Sequence, residues 1–305
     1  MNLTELERAL RKSASGAGWV DVLAAYFDDH ALVFGHGTDN AADEAFWLLR
    51  SLQGWDDRRW QQPPEVTLIP RLVALAGRRA TERIPLAYLL GEAWFAGLRF
   101  EVDERVLIPR SPFAELIERG FQPWVRLLPG DRILDIGTGS GCMAIAAAHH
   151  CPQCFVDATE VSAGALQIAA RNVAAHGLSE RVRLLERDLF PPAGERYRVI
   201  MSNPPYVPSG EVARLPREYA HEPASALDGG STGLEPVSRL LAGAADYLAS
   251  DGVLIVEVGS VAEALMRRFP ELPAVWLEFE RGGEGVFAVT KEELLASGIA
   301  RQIET

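Results

Sequence analysis

Ile133-Leu134-Asp135-Ile136-Gly137-Thr138-Gly139-Ser140-Gly141 is the stretch on which the fold turns. A short, mostly apolar run of strand length passes into three glycines spaced by single residues, at the opening of a helix. Glycines there let a ligand approach the backbone, and free N–H groups at a helix start suit an anionic group. A dinucleotide fingerprint needs G-x-G-x-x-G, and Cys142 stands where the last glycine belongs, so a pyrophosphate-binding reading loses weight.

Downstream, the apolar runs Phe155 to Ala158, Val182 to Leu185, Val199 to Ser202 and Val253 to Val258 alternate with helical stretches. That alternation predicts an α/β domain, a mostly parallel sheet with helices on both faces. Val275 to Phe279 and Val286 to Val289 are separated only by Arg281-Gly282-Gly283-Glu284-Gly285 around the turn. This is too short for a crossover, so the last pair is expected to be antiparallel.

Upstream, residues 2 to 80 carry helical signals. Thr4 followed by Glu7 predicts a capping box, and Ala42 to Leu52 places Ala45, Trp47, Leu48, Leu49 and Leu52 largely on one side. Gly35 to Asn40 reads as a turn ending in a helix cap, and Gln61 to Glu65, with its Pro pair, as a break. Trp94 to Val102 flanks Gly97 with aromatic and apolar residues, as a β-hairpin does. After it, Pro109 and Pro112 fix an extended path, and Pro112 opens a helix through Phe113, Leu116 and Ile117. The expected organisation is a helical domain over residues 1–92, a hairpin linker over 93–110 and a larger domain over 111–305.

Two further features carry chemistry. Glu160 ends the second strand about twenty residues past the glycine loop, where a carboxylate can accept from both hydroxyls of a ribose; Asp188 ends the third. Loop, Glu160 and Asp188 outline a nucleoside pocket along the carboxyl edge of the sheet. Ser202-Asn203-Pro204-Pro205-Tyr206 follows the fourth apolar strand. Asn203 offers an acceptor and a donor, the prolines lack N–H groups and leave carbonyls free to accept from a substrate amino group, and Tyr206 adds a flat face. A rigid turn alone does not need that run at a strand's carboxyl end.

The 42 acidic residues exceed the 30 Lys and Arg, giving a net charge of −12. Such a field repels nucleic acid and anionic membrane and attracts basic partners. Only 3 cysteines occur, and no apolar run approaches the roughly 20 residues that span a bilayer, so the cytoplasm is the expected address. Cys151 and Cys154, after His149 and His150, form a C-x-x-C without the second spaced pair of a zinc site; a turn with packed thiols is expected, and no metal.

The glycine loop and the Asn203-Pro204-Pro205-Tyr206 run together resemble the S-adenosylmethionine-dependent methyltransferases that modify planar nitrogens of adenine, cytosine or glutamine. With the helical segment, the hairpin and Tyr219 to Leu234, nearly the whole chain resembles the HemK family of protein N5-glutamine methyltransferases. Release-factor methylases of that family usually continue Pro-Arg with Pro-Asp-Thr-Glu, whereas here Pro109-Arg110 is followed by Ser111-Pro112-Phe113-Ala114-Glu115. That stretch, with Phe34 to Ala41 and Asp43-Glu44-Ala45, is similar to the branch acting on a glutamine of large-subunit ribosomal protein L-three. One departure is Glu160, where the family usually has Asp.

The resemblance implies a seven-stranded Rossmann-like catalytic domain, S-adenosylmethionine as cofactor and a ribosomal protein as partner, free or in an assembly intermediate. It places the cofactor's methionine end over Asp135, Gly137, Thr138, Gly139 and Gly141, its ribose on Glu160 and its adenine near Asp188 and Leu189. Asn203 and Pro204 would meet the glutamine amide, with Pro205 and Tyr206 completing the catalytic turn. A release-factor methylase, a nucleic-acid adenine N6-methyltransferase and a non-catalytic assembly binder are the rivals; the acidic charge disfavours the nucleic-acid enzyme.

Three other features are weighed as structural. His36, between two glycines, reads as a turn or target contact, and His221 with Glu222 as loop ordering. Arg71, Arg78, Arg79 and Arg83 read as a solvated basic face.

Overall fold

The structure, a computed structural model, describes residues 1–54 and 64–300. The chain divides into two compact units, Met1–Ala93 with Pro216–His221, and Trp94–Leu215 with Glu222–Thr305.

The first unit is helical. Helices Leu3–Lys12, Gly16–Asp29, Ala41–Gln53 and Ile69–Thr81 bury Leu6, Leu10, Trp19, Leu23, Phe27, Leu48, Leu49 and Leu72 against one another. Asn40 caps the third helix, its side chain accepting from Asp43 N–H at 2.9 Å. The first cap differs from expectation. Asn2 is the cap, in a reciprocal box with Glu5 at 3.0 and 2.8 Å; Thr4 lies inside the helix, because the extended backbone of Asn2 starts it earlier. The break expected at Gln61 to Glu65 lies largely outside the described residues.

The arginine cluster is also corrected. Arg79 is buried, donating to Glu44 at 2.5 Å, to Glu218 at 3.4 Å and to the Val33 carbonyl at 2.8 Å. Arg83 reaches the same Glu218 at 3.2 Å, and Arg78 makes an exposed pair with Glu82. Glu218 lies far along the chain, so local sequence shows four cations and one acid where folding assembles a paired network. Pro216–His221, which the expected boundaries leave within 111–305, groups with this unit through Glu218. His36 is buried there beside Tyr219, ring centroids 4.5 Å apart, and His221 contacts the Glu82 carbonyl.

A hairpin of β1 (Glu92–Phe95) and β2 (Leu98–Glu101) turns at Ala96 and Gly97, both at positive φ, the geometry that matches strand twist in a two-residue loop. The second unit is built on seven strands: β3 (Arg132–Ile136), β4 (Phe155–Glu160), β5 (Val182–Glu186), β6 (Tyr197–Ser202), β7 (Leu248–Glu257), β8 (Val275–Trp276) and β9 (Val286–Thr290). Their order is β5-β4-β3-β6-β7-β9-β8. The first five are parallel; β9 runs antiparallel to both β7 and β8. The final pair is therefore antiparallel as expected, but β8 keeps only two residues.

Alternate residues of each central strand serve opposite faces. Ile133, Val156, Val199 and Ile255 join one core with helices Phe113–Glu118, Cys142–His150 and Ala163–Ala175. Leu134, Ile200, Leu254 and Val256 join the other with Glu235–Tyr247, Ala262–Arg268 and Lys291–Ser297. Both faces are covered, so the strands read as continuous apolar runs and the carboxyl edge is left to bear polar groups. No helix among the described residues is long and apolar enough to cross a membrane.

Candidate active site

Strand register builds the site. Thr159 pairs with Ile136, Ile136 with Ser202, and Ser202 with Val256. One residue on, Glu160 ends β4, Gly137 follows β3, Asn203 follows β6 and Glu257 ends β7, at the ends of adjacent strands spaced about 4.8 Å apart. This is where strand order reverses, the usual crevice of an open α/β sheet.

An open cavity of ≈ 280 Å³ lies at this edge, near the lower end of the roughly 300–1,000 Å³ common for small-molecule sites. Gly137, Gly139, Glu160, Asp188, Leu189, Asn203, Pro204 and Pro205 line it; Asp135, Thr138, Gly141 and Tyr206 do not. Val161 borders it and is 66% exposed.

Gly137 and Gly139 have φ of 73° and 55°, and a Cβ on either would meet no protein atom within 4 Å. The loop thus presents a bare backbone floor. Its amides are not free as expected, however. Gly137 and Thr138 N–H donate to the Thr159 carbonyl at 2.9 and 3.0 Å, Gly141 N–H to the Thr138 carbonyl, and Gly139 N–H to Glu160 at 3.0 Å. The neighbouring strand end takes the donors that an isolated helix start would offer to an anion.

Glu160 accepts from Gly139 N–H on one oxygen and from Ser162 N–H at 2.9 Å on the other. A carboxylate has about four acceptor sites, so capacity remains for two hydroxyls. Asp188 lies two residues past β5, exposed, paired with Arg239 at 2.7 Å. Leu189 sits at φ 65°, its carbonyl accepting from Thr159 Oγ1 at 2.6 Å. Below the floor, Asp135 is buried and accepts from Thr138 Oγ1 at 2.6 Å and Ala144 N–H at 3.1 Å. Burial pushes its carboxyl up to about 7.

The second motif is clamped. Gly229 N–H donates to the Val207 carbonyl at 2.8 Å and Val207 N–H to the Leu227 carbonyl at 2.9 Å. A Cβ on Gly229 would lie 2.7 Å from Tyr206 Cα and 2.8 Å from the Pro205 carbonyl, and one on Gly259 2.7 Å from the Tyr206 ring. Tyr206 thus packs on glycine, with its hydroxyl 3.4 Å from Glu257.

Glu257 is the residue that sequence reading missed. It is buried at the end of β7, accepting from Ser111 Oγ at 2.5 Å and from Tyr206 OH at 3.4 Å, and burial raises its carboxyl to about 7. An acid inside the apolar run Val253 to Val258 was the signal available. Glu222 holds Arg110 in a two-point contact at 2.5 and 2.8 Å and accepts from Ile108 N–H, an ordering role. Cys151 and Cys154 are buried free thiols, and burial pushes them up to about 11 and about 12. Among the described residues no cluster of three or more His, Cys, Asp or Glu side chains has metal-binding geometry.

This sheet order, bare glycine floor and adjacent Asn-Pro-Pro-Tyr turn define the class of S-adenosylmethionine-dependent methyltransferases, and residues 124–231 match the family model "Methyltransferase small domain". Over 278 residues the chain is 46% identical to the ribosomal protein uL3 glutamine methyltransferase of Bordetella pertussis, covering 86% of this chain and 90% of that protein. The protein of the same name from Xanthomonas campestris is 45% identical, covering 88% and 89%. A methyltransferase structure from Pyrococcus furiosus is 24% identical, covering 64% of this chain and 89% of its own, with a TM-score of 0.47. The chain belongs to the ribosomal protein uL3 glutamine methyltransferase family.

Proposed function

We propose that the protein methylates the side-chain amide nitrogen of a glutamine in ribosomal protein uL3, in the cytoplasm, with residues 1–92 recognising the substrate. The observation that carries the chemistry is the register that sets Asn203 next to Gly137 and one strand further from Glu160.

The residues fit the cofactor. Gly137 and Gly139 give a floor without side chains for its methionine end, Glu160 keeps acceptors for the ribose hydroxyls, and Val161 and Leu189 offer apolar surface for adenine, with Asp188 at the rim. Bound there, S-adenosylmethionine supplies a sulfonium methyl group: the amide nitrogen forms the N–CH₃ bond, the CH₃–S bond breaks with its electron pair left on sulfur, and the nitrogen's proton leaves to water.

An amide nitrogen is a weak nucleophile because its lone pair is shared with the carbonyl, so the protein's contribution is orientation. Asn203 Oδ1 and the Pro204 carbonyl accept the two N–H bonds, favouring a pyramidal nitrogen with its lone pair turned to the methyl group. The clamp through Gly229 and Gly259 keeps these acceptors in place. The net charge of −12 favours encounter with a basic ribosomal protein.

The test is incubation with labelled cofactor and purified uL3, free and in assembly intermediates, followed by peptide mass spectrometry. Methylglutamine in uL3 is expected; label confined to a release factor or to nucleic acid would overturn the reading.

A further inference from the structure

We propose that the outer edge of the sheet at β8 docks an extended basic segment of the protein substrate, which joins the sheet as an added strand and sets a lysine or arginine side chain into the cavity beside it. The proposal rests on the reading of uL3 as substrate and adds a second surface by which that substrate is held.

The seven-stranded sheet ends in β5 on one side and β8 on the other. β5 holds Arg183, with Arg181 and Arg187 at its ends, the charged guard common on edge strands. β8 pairs only with β9 and has no cation within it. Leu277 N–H donates to the Val286 carbonyl at 2.8 Å, and Val275 pairs with Ala288 in the same ladder. Alternation in an antiparallel pair then turns the N–H and C=O of Trp276 away from β9, toward the open side. Just before β8 the edge closes, since Pro273 has no N–H and Ala274 N–H donates to the Leu272 carbonyl at 2.8 Å. An incoming strand therefore meets the sheet at Trp276.

An open cavity of ≈ 320 Å³ lies against this edge. Trp124, Trp276, Leu277 and Phe279 line it with apolar surface, and Glu278 and Arg119 add charge. Arg119 is already engaged, by Glu115 at 3.2 Å and Glu280 at 2.9 Å, and Arg281 by Glu118 at 2.5 Å. Glu278 is exposed and makes no ion pair or hydrogen bond among the described residues. Four carboxylates thus stand against two guanidinium groups, and Glu278 is the one left for a guest. Aromatic rings beside such a carboxylate suit a cationic side chain.

Charge selects the occupant. A second copy of this chain would bring the same carboxylates and its own net charge of −12, and a nucleic acid would bring phosphates. A basic, extended protein segment meets neither obstacle, and strand addition gives it main-chain hydrogen bonds as well. β8 is separated from β6, which leads into Asn203, by β9 and β7, so docking here governs capture of the substrate and leaves the methyl-transfer step alone.

Purified uL3 is the probe. By ¹H–¹⁵N amide exchange, binding of uL3 should slow the Trp276 amide by about 10-fold or more and leave the Leu277 amide, already bonded to Val286, unchanged. Glu278→Lys should raise KM for uL3 by about 3–10-fold, a gap that closes at high salt. Its kcat and its calorimetric affinity for S-adenosylmethionine should stay within about 2-fold of wild type. Glu180→Lys, the same charge change just before β5 at the opposite edge, should move KM by less than about 2-fold.

A wild-type KM in Glu278→Lys, an equal rise in Glu180→Lys, or a Trp276 amide that exchanges as fast with uL3 bound would overturn the proposal. So would a Trp276 amide protected in the protein alone together with a dimer in sedimentation, which assigns the edge to a second copy. If uL3 binds and slows the Trp276 amide without being methylated, the methyl-transfer reading fails and the docking edge stands. If uL3 is methylated and the amide is indifferent to it, the docking edge alone fails; if uL3 does not bind, both fail. Should Glu278→Lys not fold, the exchange measurement on wild type decides.

Discussion

Asp157, in the body of the sheet, and Glu257, at its carboxyl edge, are both buried acids on parallel strands of one unit, yet they behave in opposite ways. Asp157 accepts from Arg132 at 2.8 Å, Arg183 at 2.7 Å and the Tyr197 hydroxyl at 2.6 Å. Burial pushes its carboxyl up, but those donors outweigh burial and hold it below the usual range. Glu257 meets neutral donors at hydrogen-bonding distance and is raised to about 7. Asp135, with a hydroxyl and a backbone N–H as partners, follows Glu257. Guanidinium contact locks a buried acid as an ion, whereas neutral donors leave its charge adjustable near physiological pH. The first kind lies in the body of the sheet, on β4, and the second toward its carboxyl edge, on β3 and β7.

The largest effect is expected in the first unit, where the guanidinium kind occurs again. Arg79→Ala strands Glu44 in the interior, leaves Glu218 with Arg83 as its remaining cation, and should cost about 3–5 kcal/mol of unfolding free energy by denaturant titration. A loss below about 1 kcal/mol would show that this network is hydrated like a surface pair.

At the edge, Asn203→Ala removes the acceptor proposed for the substrate amide. A fall in kcat of about 10²–10³-fold with little change in cofactor affinity is expected. Equal losses in both would place Asn203 in cofactor binding instead.

Asp157→Asn should destabilise by about 2 kcal/mol, less than Arg79→Ala because Arg132 and Arg183 are 26% and 50% exposed and can return to water. It should leave kcat of the folded enzyme unchanged. In wild type the Asp157 contribution is present above the ordinary aspartate pKa of 3.8 and is lost as pH falls through its depressed folded value.

Asp135→Asn should have the smallest effect and the opposite sign of pH dependence. An acid raised from 3.8 to about 7 binds more protons folded than unfolded, so stability declines as pH rises across that window. The asparagine oxygen can still accept from Thr138 and Ala144, and melting between pH 4 and 7 should lose most of that decline. An unchanged slope would show that Asp135 is not the group responsible.

The strands β3 to β7 were legible because a sheet covered on both faces writes each strand as a short apolar run, and the two motifs were legible because glycine and proline declare their backbone constraints locally. Asn40 as a cap, Pro112 as a helix start and the Ala96-Gly97 turn were equally local. Arg79 was misread as solvated because its partners lie 35 and 139 residues away. The glycine-loop amides were misread as free because the carbonyl that takes two of them, at Thr159, sits on another strand.

What the order of residues determined by itself was the alternation of elements, the acidic charge, and the two turns that carry the chemistry, all consequences of periodicity and of residues with restricted or permissive backbones. Only tertiary structure decided that Glu160, Gly137, Asn203 and Glu257 form one row, and which acids stay charged. Register between strands is a long-range property, and the ionisation of a buried carboxyl depends on whether folding brings a guanidinium or a neutral donor to it.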